Sequence, residues 1–348
     1  MAGDELLGGM VRIEPSSPVY QEVARLYRIA HQLQPGGKDL WNGQLYARTD
    51  DKWGGLGRDG TLRLNQQLVL DHLTGGRLSH EPRLQRQALV TVLHESLHAR
   101  AELDALHEPN AVRGMQSIGL DEGLTELASM EAYDEFTQQA GYDGAPRPDP
   151  EYAGAVHAAD ALLRRATNSP AERKELLHKA LNQPVVMRWD TIADHIVRNQ
   201  LGDVVPPTAE HQAAARAHLV NQMAVAEWSV VQNRPQAGQL TADRTIAGLD
   251  QAVADLQAHY QRQAGELFQV KAPNPSAAVA APELGEHQRA VSRTDRSDRF
   301  GPEAMRRMLA ASAPAAGATS ERPTLGDGRR GAGSPGIKRP AKEGDRAR

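Results

Sequence analysis

Thr91-Val92-Leu93-His94-Glu95-Ser96-Leu97-His98-Ala99-Arg100 is the stretch on which the reading of this chain turns. It sets the pattern His-Glu-x-x-His within apolar residues at helical spacing, with Leu89, Val92, Leu93, Leu97 and Ala101 forming one side. On an α-helix, residues four apart are rotated by about 400°, so His94 and His98 leave the same face one turn apart. Two neutral imidazoles placed in that way can reach one metal ion. Glu95 stands about 100° further round, beside such an ion rather than on it, where a carboxylate can take a proton from water. Zinc suits the set, because it accepts nitrogen and oxygen ligands and lowers the pKa of bound water to roughly 7. A chain with 13 histidines can also carry the pattern by accident on a surface helix. The apolar side argues instead for a segment buried against a core.

A catalytic zinc takes three protein ligands and leaves one position open, so a third ligand has to be found. Asp104 lies six residues after His98, but that offset works only where a glycine three residues after the second histidine turns the chain back, and here Ala101 occupies that place. With Ala101 the helix is expected to continue to about Leu106, where His107-Glu108-Pro109 stops it, leaving Asp104 facing away. The second candidate is Glu122, in Leu120-Asp121-Glu122-Gly123-Leu124-Thr125-Glu126-Leu127-Ala128. A helix from about Asp121 to Ala140 puts Glu122 and Glu126 one turn apart. The first can bind metal while the second accepts a hydrogen bond from the far ring nitrogen of a ligand histidine. The plainer alternative makes both of them acids at a helix N-terminus, facing the macrodipole.

With these residues in view, the chain resembles the gluzincin class of zinc metallopeptidases over roughly residues 40 to 140. The resemblance implies His94, His98 and Glu122 as zinc ligands, Glu95 as general base and Glu126 as the carboxylate behind a ligand histidine. It also implies a small sheet ahead of the first metal helix, whose edge strand pairs with an extended peptide substrate. The expected fold is α+β and predominantly helical: a minimal zincin-like core with a small sheet, the metal helix and a following Glu-bearing helix, then a C-terminal helical bundle.

Composition narrows the setting. The chain has 348 residues, 40% of them hydrophobic, enough for one or two cores. A net charge of -4 and a pI near 6.4 give no pull toward nucleic acid or an anionic membrane. The absence of cysteine leaves histidine and carboxylates as the strong metal ligands. Without a signal-peptide pattern or a spanning apolar run, the expectation is a cytoplasmic protein, or one exported without a signal peptide.

Ahead of the metal helix, Ser17-Pro18 opens a helix that ends at Pro35-Gly36-Gly37. Gln44 to Arg48 and Gly60 to Asn65 read as short strands, with Thr61 to Asn65 the candidate edge strand, and Gln66 to Leu73 as a short helix. Gly141 to Pro150 is a loop that closes a core of residues 1–145. Residues 146–270 read as a helical extension: Tyr152 to Ala166, Ser169-Pro170 to Leu181, Asp190 to Gln200, and a long pair from Thr208 to Val231 and Thr241 to Phe268. Residues 271–348, rich in Ala, Pro, Gly and Arg, read as a disordered tail. Within the tail, Phe300 to Leu309 is a candidate helix for docking on a partner.

By position Tyr142, Tyr152 and His157 are candidates for stabilising an oxyanion, with nothing to choose among them. His178, His195, His211, His218 and His259 read as surface histidines on separate helices. The function expected is a zinc metallopeptidase acting on a peptide or protein. Two alternatives stand beside it: an exported effector protease with one protein target, and a non-enzymatic scaffold whose metal only holds the fold.

Overall fold

The computed structural model describes residues 9–270 together with the two-residue strand Leu6–Leu7. The tail, with the candidate helix at Phe300 to Leu309, lies outside the described residues, and so does any role for it in export.

The sheet is small and mixed. Strands β1 (Leu6–Leu7), β2 (Met10–Ile13), β3 (Leu45–Arg48), β4 (Gly54–Leu56) and β5 (Leu62–Asn65) lie in the order β1-β2-β3-β5-β4, with β3 and β5 parallel and the other pairs antiparallel. Two of these strands match the expected ones, but the edge is not where it was expected. The strand Thr61 to Asn65 is interior, because the connection from β3 first lays down β4 on the far side and then returns. Gly60 makes the return possible: its φ is +83°, and a Cβ there would sit 2.2 Å from the Leu40 carbonyl oxygen. Asp59 Oδ1 holds the turn by accepting from the Thr61 N–H at 3.1 Å.

Among the described residues, eight α-helices carry about half: α1 (Pro18–Leu33), α2 (Pro82–His98), α3 (Met115–Gln139), α4 (Ala153–Ala166), α5 (Pro170–Leu181), α6 (Arg188–Gln200), α7 (Ala209–Met223) and α8 (Gly238–Arg262). Ser17 caps α1 by accepting from Tyr20 N–H, and Ser169 caps α5 by accepting from Glu172 N–H, each followed by a proline at the first helical position. The segment Gln66 to Leu73 forms turns and one short 3₁₀ stretch, Leu70–His72. After α7 the chain continues as short 3₁₀ turns rather than as helix to Val231.

Two boundaries near the site differ from expectation. Helix α2 stops at His98 instead of running on to Leu106. The carbonyls just past its end are taken by another segment: Leu40 N–H donates to Ala99 O at 2.9 Å and Lys38 N–H to Arg100 O at 2.7 Å. Helix α3 begins at Met115, so Asp121 lies inside it rather than at its start.

Helix α3 is buried on every side through the segment that carries Glu122, and glycines allow that. A Cβ at Gly119 would lie 1.9 Å from Trp228 O, and one at Gly123 would lie 2.5 Å from Ala155 O. These residues, one turn apart, let the 3₁₀ turn Ala226–Ser229 and helix α4 approach the α3 backbone directly. One hydrophobic cluster runs from Val23 and Leu26 on α1 through Leu93 on α2 and Leu124 on α3 to Leu249 and Leu256 on α8. That cluster crosses residue 145 without a break.

Candidate metal centre

Helices α2 and α3 lie side by side and bring His94, His98 and Glu122 together. The three side chains are buried, with relative exposures of 7%, 1% and 3%. His98 Nε2 lies 2.9 Å from His94 Nε2 and 3.4 Å from Glu122 Oε2, and His94 Nε2 lies 3.2 Å from Glu122 Oε2. Ligands about 2.0 to 2.1 Å from one tetrahedral ion stand about 3.4 Å apart, so the three atoms are spaced like one face of such a shell. The donor set fits as well, since all three atoms can present lone pairs to a common point. The group can hold a metal ion. Among the described residues no second group of three histidine or acidic side chains converges in this way.

Carboxylates hold the outer ring nitrogens. Glu126 Oε2 lies 2.8 Å from His94 Nδ1 and accepts its N–H, which leaves the lone pair on Nε2. Glu126 Oε1 accepts the Glu151 backbone N–H at 3.0 Å. Asp121 Oδ2 lies 3.3 Å from His98 Nδ1. Asp121 in turn pairs with Arg188 on α6, and both side chains are completely buried. Asp121 and Arg188 were not among the residues singled out from the sequence. The one available signal was an arginine four residues before Ile192, on the apolar face of a helix.

The electrostatics of the site express a demand for positive charge. Burial would lower the pKa of His94, but its hydrogen bonds with Glu122 and Glu126 raise it well above the usual imidazole value. Burial likewise opposes charge on His98, and the charges of Asp121 and Glu122 raise it all the same. Burial would raise Glu122, whereas His98 and His94 bring its pKa down to about 2. Two protons on the imidazoles, or one divalent ion between them, meet the same need.

Glu95 is buried beside the triad and lies against the sheet edge. A Cβ at Gly54 would meet Glu95 Cγ at 2.9 Å and Oε1 at 3.0 Å, so the bare backbone of β4 makes room for this side chain. Trp53 and Gly54 form one wall of a cleft of about 20 Å³ over His94 and Glu95, and Glu151 and Tyr152 form another. That is room for about one water molecule.

The remaining candidates are dispersed. Tyr152 lines the cleft, its ring centroid 5.8 Å from that of His94. Tyr142 is buried elsewhere, donating to Glu22 Oε1 at 2.8 Å and accepting from Thr74 N–H at 3.1 Å. His157 is exposed on α4. Asp104 pairs with Arg113 at 3.0 Å. His218, expected at the surface, is buried, with Asp255 3.3 Å away and the Phe268 ring beside it.

No family model, curated protein or solved structure matches this chain. The site's own chemistry therefore carries the functional reading. No helix among the described residues is long and apolar enough to cross a membrane.

Proposed function

We propose that the protein is a zinc-dependent peptidase of the gluzincin type, with a zincin-like core built from β3, β4, β5, α2 and α3. The observation that carries this reading is the convergence of His94 Nε2, His98 Nε2 and Glu122 Oε2 within 3.4 Å of one another, with Glu95 one residue along from His94. His94, His98 and Glu122 would hold the ion. Zinc, when bound, supplies Lewis acidity that makes water a competent nucleophile near neutral pH. Glu95 takes the proton from the attacking water and returns it to the leaving amine. Glu126 keeps the His94 proton on Nδ1, and the cleft walls exclude bulk water.

The sheet edge supports a peptide as the substrate. Trp53 O accepts from Asn65 N–H and Gly57 N–H donates to Thr61 O, so by antiparallel alternation the main-chain groups of Gly54 and Leu56 face away from β5. Arg48 Nη1 already takes the Gly54 carbonyl at 3.1 Å. An extended peptide laid along β4 would use the rest of that edge and pass beside Glu95.

A second reading has its own support: three buried ligands under a cleft of about 20 Å³ also suit a metal that only braces a scaffold. Metal analysis of the purified chain, followed by a peptide-library digest of wild type against Glu95→Gln, separates the two. The peptidase reading expects equal zinc content in both proteins and a loss of about 10²- to 10⁴-fold in turnover for the variant. Zinc in both with no cleavage by wild type would favour the scaffold, and undiminished cleavage by Glu95→Gln would reject the role given to Glu95.

A further inference from the structure

We infer that Arg188 is a positioning residue of the metal centre: acting through Asp121, it sets the tautomer and orientation of His98 and makes helix α6 part of the site. The inference rests on the reading of His94, His98 and Glu122 as metal ligands.

The geometry is a chain of three groups. Arg188 Nη1 donates to Asp121 Oδ1, and Asp121 Oδ2 lies 3.3 Å from His98 Nδ1. A carboxylate held by a guanidinium on one oxygen offers the other only as an acceptor. With that oxygen 3.3 Å away, a ring proton on His98 Nδ1 is the favoured arrangement, and it would leave the Nε2 lone pair directed at the point shared with His94 and Glu122. The first ligand histidine is held by a parallel chain, from the Glu151 N–H through Glu126 to His94 Nδ1. Each imidazole thus has its own carboxylate, and each carboxylate has its own second donor.

Stability alone is a poor account of this ion pair. Arg188 and Asp121 are both 0% exposed, and charges taken that far from water need hydrogen bonds on all their polar atoms to break even. Arg188 falls short of that: its Nε and Nη2 have no hydrogen-bond partner among the described residues. A single contact through Nη1 is a weak way to stabilise a core. With Thr125 Oγ1, which lies 3.4 Å from the same Asp121 oxygen, it holds that carboxylate toward His98.

The experiment uses the full-length chain as wild type, Arg188→Met and Arg188→Lys. Thermal unfolding of the metal-free proteins checks folding, zinc affinity is read by chelator competition, and ¹⁵N-edited NMR of the zinc-loaded proteins follows the His98 Nδ1–H proton. The expected result is a 10- to 100-fold loss of zinc affinity in Arg188→Met, with faster exchange of the Nδ1–H proton, and recovery toward wild type in Arg188→Lys. Should Arg188→Met fail to fold, Asp121→Asn is compared with Asp121→Asn combined with Arg188→Met, which carries no uncompensated charge: equal zinc affinity in the two is expected, because Arg188 acts only through Asp121, and a further loss in the double variant would overturn the inference. Wild-type affinity and an unchanged Nδ1–H resonance in a folded Met variant would overturn the inference. A wild-type chain that binds no zinc would overturn the metal reading itself, which is a different outcome.

Discussion

Both oxygens of Glu126 are committed: Oε2 accepts from His94 Nδ1 at 2.8 Å and Oε1 accepts from Glu151 N–H at 3.0 Å. An amide cannot serve two donors in this way, because one of its two ends is itself a donor. Glu126→Gln must therefore set an NH₂ group against either the Glu151 N–H or the His94 ring N–H. The expected effect is a 10- to 100-fold fall in zinc affinity with the fold retained, measured by chelator competition, and unchanged affinity would remove Glu126 from the site. The ligands also predict a pH dependence. Raised imidazole pKa values on His94 and His98 stabilise the metal-free chain fully below the unfolded value of about 6.5, and that contribution is lost as pH rises through the folded values. The lowered pKa of Glu122 has the opposite sign: its contribution is present above the unfolded value of 4.5 and lost as pH falls toward about 2. Metal-free protein should then be most stable between about pH 4.5 and 6.5 and decline on the alkaline side. Zinc replaces the protons, so saturating zinc should abolish that alkaline decline. Melting temperatures measured from pH 5 to 9 with chelator and with zinc test this; parallel curves would contradict it.

Among the elements, α3 carries the sharpest departure from helix propensity. In an exposed helix, replacing glycine by alanine gains about 1 kcal/mol. At Gly123 the new methyl would stand 2.5 Å from Ala155 O and 2.9 Å from Ala155 C, backbone atoms that can give way only if α4 moves. Gly123→Ala should therefore destabilise the chain by about 1 to 3 kcal/mol and weaken zinc binding through the adjacent Glu122, and a gain in stability by denaturant unfolding would refute the close approach. The same contact explains what could be read in advance. Both helices of the cluster were visible, because His-Glu-x-x-His and Asp-Glu-Gly-Leu-Thr-Glu state their own geometry at a spacing of four. The start of α3 at Met115 was not, since Gly119 reads as a break unless Trp228 is known to lie over it. The stop of α2 at His98 depends on Lys38 and Leu40, far earlier in the chain, and no local signal announces it. Strand β4 was missed because Gly54-Gly55 has little strand propensity, and Gly54 leaves the space that Glu95 fills.

At the scale of the whole molecule, the metal centre draws on segments far apart in the chain. Helices α2 and α3 supply the three candidate ligands, the N–H of Glu151 just before α4 donates to Glu126, Arg188 on α6 donates to Asp121, and Gly54 on β4 lies against Glu95. The hydrophobic cluster joining α1 to α8 is continuous, so a force applied at the site is resisted by all of it. Ligand linkage then makes a definite forecast. Zinc that binds the folded chain and not the unfolded one stabilises it by about 2.7 kcal/mol at a free concentration one hundred times Kd. For a domain of this size that corresponds to a rise in Tm of roughly 5 to 10 °C. Because the hydrophobic cluster crosses residue 145 without a break, the rise should appear as a displacement of one cooperative transition, seen alike by calorimetry and by tryptophan fluorescence, with Trp189 and Trp228 reporting from the helical region and Trp41 and Trp53 from the sheet side. Replacing His94 with alanine should leave a transition that zinc no longer moves. A melt that divides in two, with only the sheet-side reporters responding to zinc, would show that the helices after residue 145 fold apart from the centre, and the tie through Arg188 would fall with it.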